Sequence, residues 1–181
     1  MKFDKLVFID LETTGANPVS DRITEIGLVE VDAAGHATHW SSLVNPEIPI
    51  PAFIQSLTGI SNEMVRRAPT FAELADALYE RLQGALFIAH NARFDYGFLR
   101  NAFSEVGFAL RADVLCTVKL SRKLYPEHNR HNLDSLIARH GLKPDARHRA
   151  LAGLAADALA APAEPVTLSV LGRFLDINVH L

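Results

Sequence analysis

The order in which strand-like and helix-like segments follow one another restricts the fold of this chain more than any other sequence feature. Residues 5–10 (KLVFID) form a short apolar run typical of a buried strand, and residues 22–31 and 36–44 predict a hairpin around a turn that contains Gly35. Helical and strand-like segments then alternate. A hairpin followed by such alternation predicts an α/β fold, in which helices flank a mixed sheet.

The later segments predict the remaining strands and the helices. Thr70 and Glu73 make a capping-box pattern at the head of a helix over residues 71–82, whose apolar residues recur at helical spacing before Gly84. The other predicted segments are strands over 86–89 and 111–116 and helices over 94–106, 117–125, 132–140 and 148–161. Together the strand patterns predict a five-stranded mixed sheet within one domain.

Length and composition exclude several classes of protein. The chain of 181 residues is long enough for one domain with a buried core. Its one cysteine, Cys116, excludes an internal disulfide framework and a cysteine zinc cluster. No apolar run reaches the roughly 18 residues that a membrane-spanning helix needs, and the N-terminus lacks the pattern of a secretory signal. We therefore expect a cytoplasmic setting and no membrane partner.

The basic residues are unevenly distributed, although the net charge is only −3. Nine of the 18 Lys and Arg residues fall between Arg111 and Arg149, with four acidic residues in the same segment. Such an excess suits a phosphate backbone, and it is equally typical of a solvated helix surface. The helix over 117–125 and a group of basic residues near it are the candidates for guiding a nucleic-acid strand: Arg130, Lys143, Arg147 and Arg149.

Three short clusters contain the residues that suggest chemistry. Asp10 and Glu12 lie two apart at the end of the first strand, so both side chains point to one face of the sheet, where they repel each other unless a cation lies between them. The second cluster, HNARFD at 90–95, has Asp95 in the first turn of a helix that His90 or Asn91 is placed to cap. The third, DARHRALAG at 145–153, contains His148. Taken one at a time, each cluster also has a structural explanation.

Taken together, the three clusters resemble the motifs of the DEDD exonuclease family, in its histidine-containing branch. FIDLETTG at 8–15 matches the family's D-x-E-T-T-G motif in full, and HNARFD matches H-N-x-x-F-D. HRALAG at 148–153 keeps the histidine and alanine of the third motif, H-x-A-x-x-D. The resemblance covers roughly residues 5–152, including LTGIS at 57–61, and implies a ribonuclease-H-like fold.

The resemblance also implies a function and roles for particular residues. The implied function is that of a metal-dependent 3′→5′ exonuclease that acts on single-stranded DNA ends. A proofreading exonuclease that works with DNA polymerase III subunits is an example. Asp10, Glu12 and Asp95 would hold two Mg²⁺ or Mn²⁺ ions, and His148 would take a proton from the attacking water. Six further positions would bind the substrate: Thr13, Thr14, Leu57, Ile60, Asn91 and Phe94. The first four would surround the terminal nucleotide, with turn and core packing as the alternative explanation.

The third motif departs from the family pattern at its last position. Gly153 stands where the family has an aspartate, so one metal ion loses an anionic ligand. Asp157 lies one helical turn later, about 6 Å along the axis and about 40° around it, which is a large displacement for a metal ligand. We therefore expect an exonuclease domain over 1–152 with reduced activity, and an atypical C-terminal tail over 153–181 packed on the same domain.

Two alternative functions follow from the same residues. A catalytically impaired domain of this fold would bind nucleic-acid ends or a polymerase partner, and Gly153 favours this alternative. An RNA-trimming exonuclease is the other, because the motifs do not distinguish RNA from DNA as the substrate.

Overall fold

The computed structural model describes residues 3–140, which form a five-stranded sheet with helices packed on both faces. The strands lie in the order β3-β2-β1-β4-β5. Strand β1 pairs antiparallel with β2 and β2 with β3, whereas β1–β4 and β4–β5 are parallel. The predicted mixed five-stranded sheet is therefore confirmed. The strand bounds are β1 Lys5–Thr13, β2 Ile23–Asp32, β3 Ala37–Leu43, β4 Ala85–Ala89 and β5 Asp113–Cys116.

Six helices accompany the sheet in this part of the chain: α1 Ala52–Thr58, α2 Asn62–Val65, α3 Phe71–Leu82, α4 Arg93–Glu105, α5 Thr117–Leu124 and α6 Leu133–His140. The capping box that Thr70 and Glu73 predict at the start of α3 is confirmed. Helices α1 and α2 were not predicted, because seven and four residues are too few to show a helical period. None of the helices within 3–140 is long and apolar enough to cross a membrane.

The alternation of side chains along β1 builds the core and sets the position of its acidic residues. Val7, Ile9 and Leu11 point to the face covered by α3 and α4. Leu6 and Phe8 point to the opposite face, where they pack with residues of α5 and α6. Because side chains repeat every second residue, Asp10 and Glu12 continue this second face beyond Phe8. The acidic residues thus begin where the apolar packing of β1 ends.

Two local predictions are corrected by the structure. Strand β1 runs on to Thr13 rather than ending at Asp10, because β2 pairs with it along that whole length. The prediction that His90 or Asn91 caps α4 was wrong: the N-cap is Ala92, and no side chain makes a cap hydrogen bond there. Asn91 instead has a left-handed backbone (φ 65°), and its carbonyl accepts a hydrogen bond from the Phe94 N–H at 2.9 Å.

The predicted helix over 148–161 and the predicted tail over 153–181 lie outside the described residues. The same holds for Lys143, Arg147, His148, Arg149, Gly153 and Asp157.

Candidate active site

The end of β1 presents two acidic side chains on one face of the sheet. Asp10 is exposed and Glu12 is half-buried. Across the strand pair, Asp10 lies opposite Gly27 of β2, which contributes no side chain next to it. Glu12 lies opposite Glu25. Asp10 therefore has no side chain opposite it on β2, whereas Glu12 has a second carboxylate opposite it.

A β-bulge follows this pair directly. Glu12 pairs with Glu25, but Thr13 pairs with Ile23, so Thr24 is one extra residue in β2. A bulge bends its strand and increases the local twist, which changes the direction of nearby side chains. The irregularity thus falls at the end of β1, next to the acidic residues.

Asp95 approaches the same point from α4. It lies in the first turn of that helix and is only 3% exposed. Its carboxylate accepts hydrogen bonds from its own backbone N–H and from that of Leu11, the residue between Asp10 and Glu12. The Leu11 bond connects α4 directly to the end of β1. Asp10, Glu12 and Asp95, which lie up to 85 positions apart in the sequence, are therefore close enough in the fold for their charges to interact.

The electrostatics of the site are dominated by burial and by repulsion between like charges. Burial, together with the charge of Asp10, raises the pKa of Asp95 to about 8. Burial, followed by the charges of Asp10 and Glu25, raises the pKa of Glu12 to about 7. In both cases the charges that act on the carboxyl group from within residues 3–140 are those of other carboxylates. The arrangement is one that a bound cation would relieve.

The donor atoms fit a hard divalent cation by chemistry and by charge. Carboxylate oxygens are the ligands that Mg²⁺ and Mn²⁺ prefer. Within residues 3–140, however, no three His, Cys, Asp or Glu side chains converge closely enough to form a ligand set. The described carboxylates are thus close enough to repel one another without forming a complete coordination sphere.

Glu25 is a member of the site that sequence reasoning missed. It is 3% exposed and faces Glu12 across the strand pair. The alternation of β2 carried a signal, because it placed Glu25 on the same face as Gly27 and Val29 within a buried strand. What that pattern lacked was the register with β1, which decides which residue faces Glu12.

His90 and Thr117 form a second polar contact on this face. The His90 Nδ1 lies 2.9 Å from the Thr117 hydroxyl, at the start of α5. Phe8 of β1 and Ile88 of β4 are partners in the parallel strand pair. Asp10 lies two residues after Phe8, and His90 lies two residues after Ile88. Burial lowers the pKa of His90, which favours the neutral ring. The contact holds the start of α5 at the end of β4, the strand that pairs with β1.

The two threonines predicted to contact substrate use their hydroxyls within the protein. Thr13 donates to the carbonyl of Gly15 at 2.6 Å. The Thr14 hydroxyl accepts from the Arg22 N–H at 3.0 Å and donates to Asp21 at 3.3 Å. Both threonines are buried, at 7% and 2% exposure. Their side chains hold the turn in shape, which matches the structural alternative for these positions.

The other predicted substrate positions differ in accessibility. Leu57 on α1 is 46% exposed, and Asn91 is exposed. Ile60 is fully buried in a small cluster with Ile50 and Val65. Phe94 is half-buried, and its ring lies 4.8 Å from that of Phe98 in the core. Leu57 and Asn91 are therefore the members of this set with the most accessible surface.

Helix α5 carries the described part of the predicted basic surface. Lys119, Arg122 and Lys123 are exposed on it, and Arg130 is exposed in the loop that follows. Because Thr117 in the first turn of α5 contacts His90, this basic helix starts next to the end of β4. The described basic side chains are thus on a helix that begins beside β4, the strand that pairs with β1.

Comparison with known sequences finds exonucleases. The model of the RNase T family, described as exonuclease, matches residues 7–161. The chain is 40% identical over 152 residues to the 3′-5′ exonuclease DinG of Bacillus subtilis (strain 168), which covers 83% of this chain and 16% of DinG. It is 36% identical over 178 residues to the PolC-type DNA polymerase III of Clostridium perfringens, which covers 98% of this chain and 12% of that protein. The chain thus spans less than a fifth of either relative.

Solved structures with a similar fold are also exonucleases. Exonuclease X in complex with 5′ overhanging duplex DNA matches with a TM-score of 0.70 at 25% identity, over 95% of this chain and 92% of that chain. E. coli exonuclease I in complex with a dT13 oligonucleotide gives a TM-score of 0.75 at 18% identity, over 96% and 43% of the two chains. The second likeness concerns the fold alone. The predicted ribonuclease-H-like architecture is confirmed.

Proposed function

Because the chain belongs to the RNase T family of exonucleases, we propose that it hydrolyses DNA from the 3′ end and releases nucleoside 5′-monophosphates. The observation that carries the proposal is the meeting of Asp10, Glu12 and Asp95 at the end of β1. Burial and mutual repulsion raise the pKa of Glu12 and of Asp95 there. Raised pKa values are expected of carboxyl groups in a cation-binding site when no cation is bound. Exonucleases of this family use divalent metal ions.

We assign the chemistry as follows. Two Mg²⁺ or Mn²⁺ ions, when bound, would activate the attacking water and stabilise the leaving oxygen. Asp10, Glu12 and Asp95 would hold these ions. His148 would accept the proton of the attacking water, since a neutral histidine, whose ordinary pKa is about 6.5, is suited to that task. Asp157 is the weakest member of the proposed ligand set, because it is displaced by one helical turn from Gly153.

The proposed substrate is a single-stranded 3′ end of DNA. Exposed Leu57 and Asn91 offer surface for the terminal nucleotide, and the basic side chains of α5 offer charge for the phosphates behind it. The likeness to Exonuclease X in complex with duplex DNA supports DNA as the substrate class. The likeness to PolC-type polymerases supports a partner among DNA polymerase III subunits. We also propose that the protein acts in the cytoplasm.

A catalytically impaired domain that binds nucleic-acid ends is the second candidate, and Gly153 is the observation that favours it. With glycine at that position, the proposed metal site has one carboxylate fewer. The two candidates share the fold and the binding surface and differ only in turnover.

One experiment separates these candidates. Labelled single-stranded DNA and RNA of the same sequence are incubated with the protein and either Mg²⁺ or Mn²⁺, and the products are resolved by length. We expect stepwise shortening of DNA from the 3′ end, its loss in Asp10→Ala, and faster shortening in Gly153→Asp. DNA binding without shortening in the wild type, restored by Gly153→Asp, would establish the impaired domain. Preferential shortening of RNA would show that RNA, rather than DNA, is the substrate.

A further inference from the structure

One carboxylate, that of Asp21, makes several of the hydrogen bonds that hold the turn between β1 and β2. This turn spans residues 15–22 and is named the bracket loop here. Asp21 accepts hydrogen bonds through both oxygens: the Thr14 hydroxyl lies 3.3 Å from Oδ1, and the Asn17 N–H donates to Oδ2 at 2.8 Å. The Asp21 N–H in turn donates to the Asn17 carbonyl at 2.8 Å. Asp21 therefore connects the end of the bracket loop to Thr14, which lies two positions after Glu12.

Gly15 is the residue that lets Asp21 reach this position. A Cβ atom on Gly15 would lie 2.5 Å from the Asp21 Oδ2, which is closer than any two such atoms approach. The close approach of the Asp21 carboxylate, rather than the backbone angles of residue 15, favours glycine here, because a Cβ atom would displace that carboxylate. The Thr14 N–H and the Arg22 carbonyl close the base of the loop at 2.8 Å. The geometry of the loop thus depends on the fit between Gly15 and Asp21.

The outer part of the bracket loop is attached to α4, the helix that carries Asp95. The Asn101 side-chain amide donates to the Pro18 carbonyl at 2.8 Å. Arg22, at the end of the loop, lies 3.7 Å from the Glu105 carboxylate. The start of the loop is therefore continuous with β1, which carries Glu12. The rest of the loop contacts α4 at Asn101 and Glu105, about two and three turns after Asp95.

We infer that Asp21 is a positioning residue, which fixes the separation of Glu12 and Asp95 through the bracket loop. Metal ligands need defined positions, because Mg²⁺ tolerates little change in ligand distance. Groups that hold ligands in place contribute about 10–100-fold to metal affinity or activity. The inference rests on the proposed function only for its effect on hydrolysis, since its effect on metal binding is measured separately.

The test compares Asp21→Ala with the conservative variant Asp21→Asn and with Asp76→Ala, which removes an exposed carboxylate from α3. Each variant is titrated with Mn²⁺ while free Mn²⁺ is followed by electron paramagnetic resonance, and kcat and KM are measured on single-stranded DNA. We expect Asp21→Ala to weaken Mn²⁺ binding and lower kcat by about 10–100-fold with little change in KM. Asp21→Asn keeps one acceptor oxygen and the contact with Gly15, so it should recover most of the loss. Asp76→Ala should match the wild type.

A second variant covers the case in which Asp21→Ala does not fold. Asn101→Ala leaves the bracket loop intact and removes one of its two contacts with α4, so Mn²⁺ binding should weaken in the same direction. The inference is overturned if folded Asp21→Ala or Asn101→Ala binds Mn²⁺ as the wild type does, even if its thermal midpoint is lower. If the wild type binds Mn²⁺ but does not shorten DNA, the proposed function fails, and the Mn²⁺ titration alone decides the role of Asp21.

Discussion

Glu12 and Glu25 are direct cross-strand partners on β1 and β2, and the charge of Glu25 contributes to the raised pKa of Glu12. Like charges placed opposite each other destabilise an antiparallel pair. In the proposed enzyme this cost belongs to the metal-free state, because a cation beside Glu12 offsets it. The pair therefore links the stability of the sheet to metal binding.

Replacing Glu25 by Gln should stabilise the metal-free protein. The change removes one charge of the opposed pair and keeps the shape of the side chain, so the free energy of unfolding should rise by about 0.2–1 kcal/mol. The increase in thermal midpoint on adding Mn²⁺ should become smaller. Differential scanning calorimetry with EDTA and with Mn²⁺ measures both effects.

Glu30→Gln on the same strand is the matched control. Glu30 pairs with Lys5, at 3.5 Å, and with Arg81, so this change should lower stability instead. Equal effects of the two substitutions would refute the repulsion between Glu12 and Glu25.

The metal-free protein should lose stability as the pH rises from about 4 to about 8. The pKa values of Glu12 and Asp95, about 7 and about 8, lie above the ordinary values of 4.5 and 3.8. The folded state therefore holds these protons more tightly than the unfolded chain, so their contribution is full below the ordinary values and lost above the raised ones. Urea unfolding in EDTA at several pH values measures the slope. The double variant Glu12→Gln, Asp95→Asn should flatten it, and an unchanged slope would assign the effect to other groups.

Thr24→Val should raise the free energy of unfolding by about 1 kcal/mol. Thr24 is completely buried, and its hydroxyl has no hydrogen-bond partner among residues 3–140. Valine has nearly the same shape and removes the unsatisfied group. Thr58→Val is the control, because the Thr58 hydroxyl donates to the Ile54 carbonyl at 2.9 Å and accepts from the Ile60 N–H at 3.1 Å. Urea unfolding should show a gain for the first variant and a loss for the second; a loss for both would indicate that Thr24 has a partner.

Replacing Arg122 and Lys123 of α5 by Ala should weaken DNA binding and reduce its salt dependence. Each phosphate contact with a single strand contributes about 0.7 to the slope of log affinity against log salt concentration, so losing two contacts should lower it by about 1.4. Fluorescence anisotropy with a labelled oligonucleotide at several salt concentrations gives the slope. Arg66→Ala with Arg67→Ala removes the same charge from exposed positions after α2. If both pairs change the slope equally, α5 has no special part in binding.

Much of the fold was predictable because it depends on local patterns. The capping box of Thr70 and Glu73 and the hairpin of β2 and β3 involve residues close in sequence, and both formed as predicted. The features that were not predicted also depend on local patterns, which are too weak in these segments. The short helices α1 and α2 have too few residues for a periodic signal, and Asn91 adopts a left-handed backbone that its sequence context did not reveal.

By itself the sequence determined that Asp10 and Glu12 share a face, since side chains alternate along any strand, and that Asp95 lies in the first turn of a helix. Only the tertiary structure decided what surrounds them. The register of β1 with β2, with its bulge at Thr24, sets Glu25 against Glu12, and the packing of α4 buries Asp95 against the Leu11 N–H. Burial and charge repulsion depend on distances through space, which spacing along the chain does not specify. The raised pKa values of Glu12 and Asp95, and the role inferred for Asp21, are therefore properties of the assembled sheet and helix.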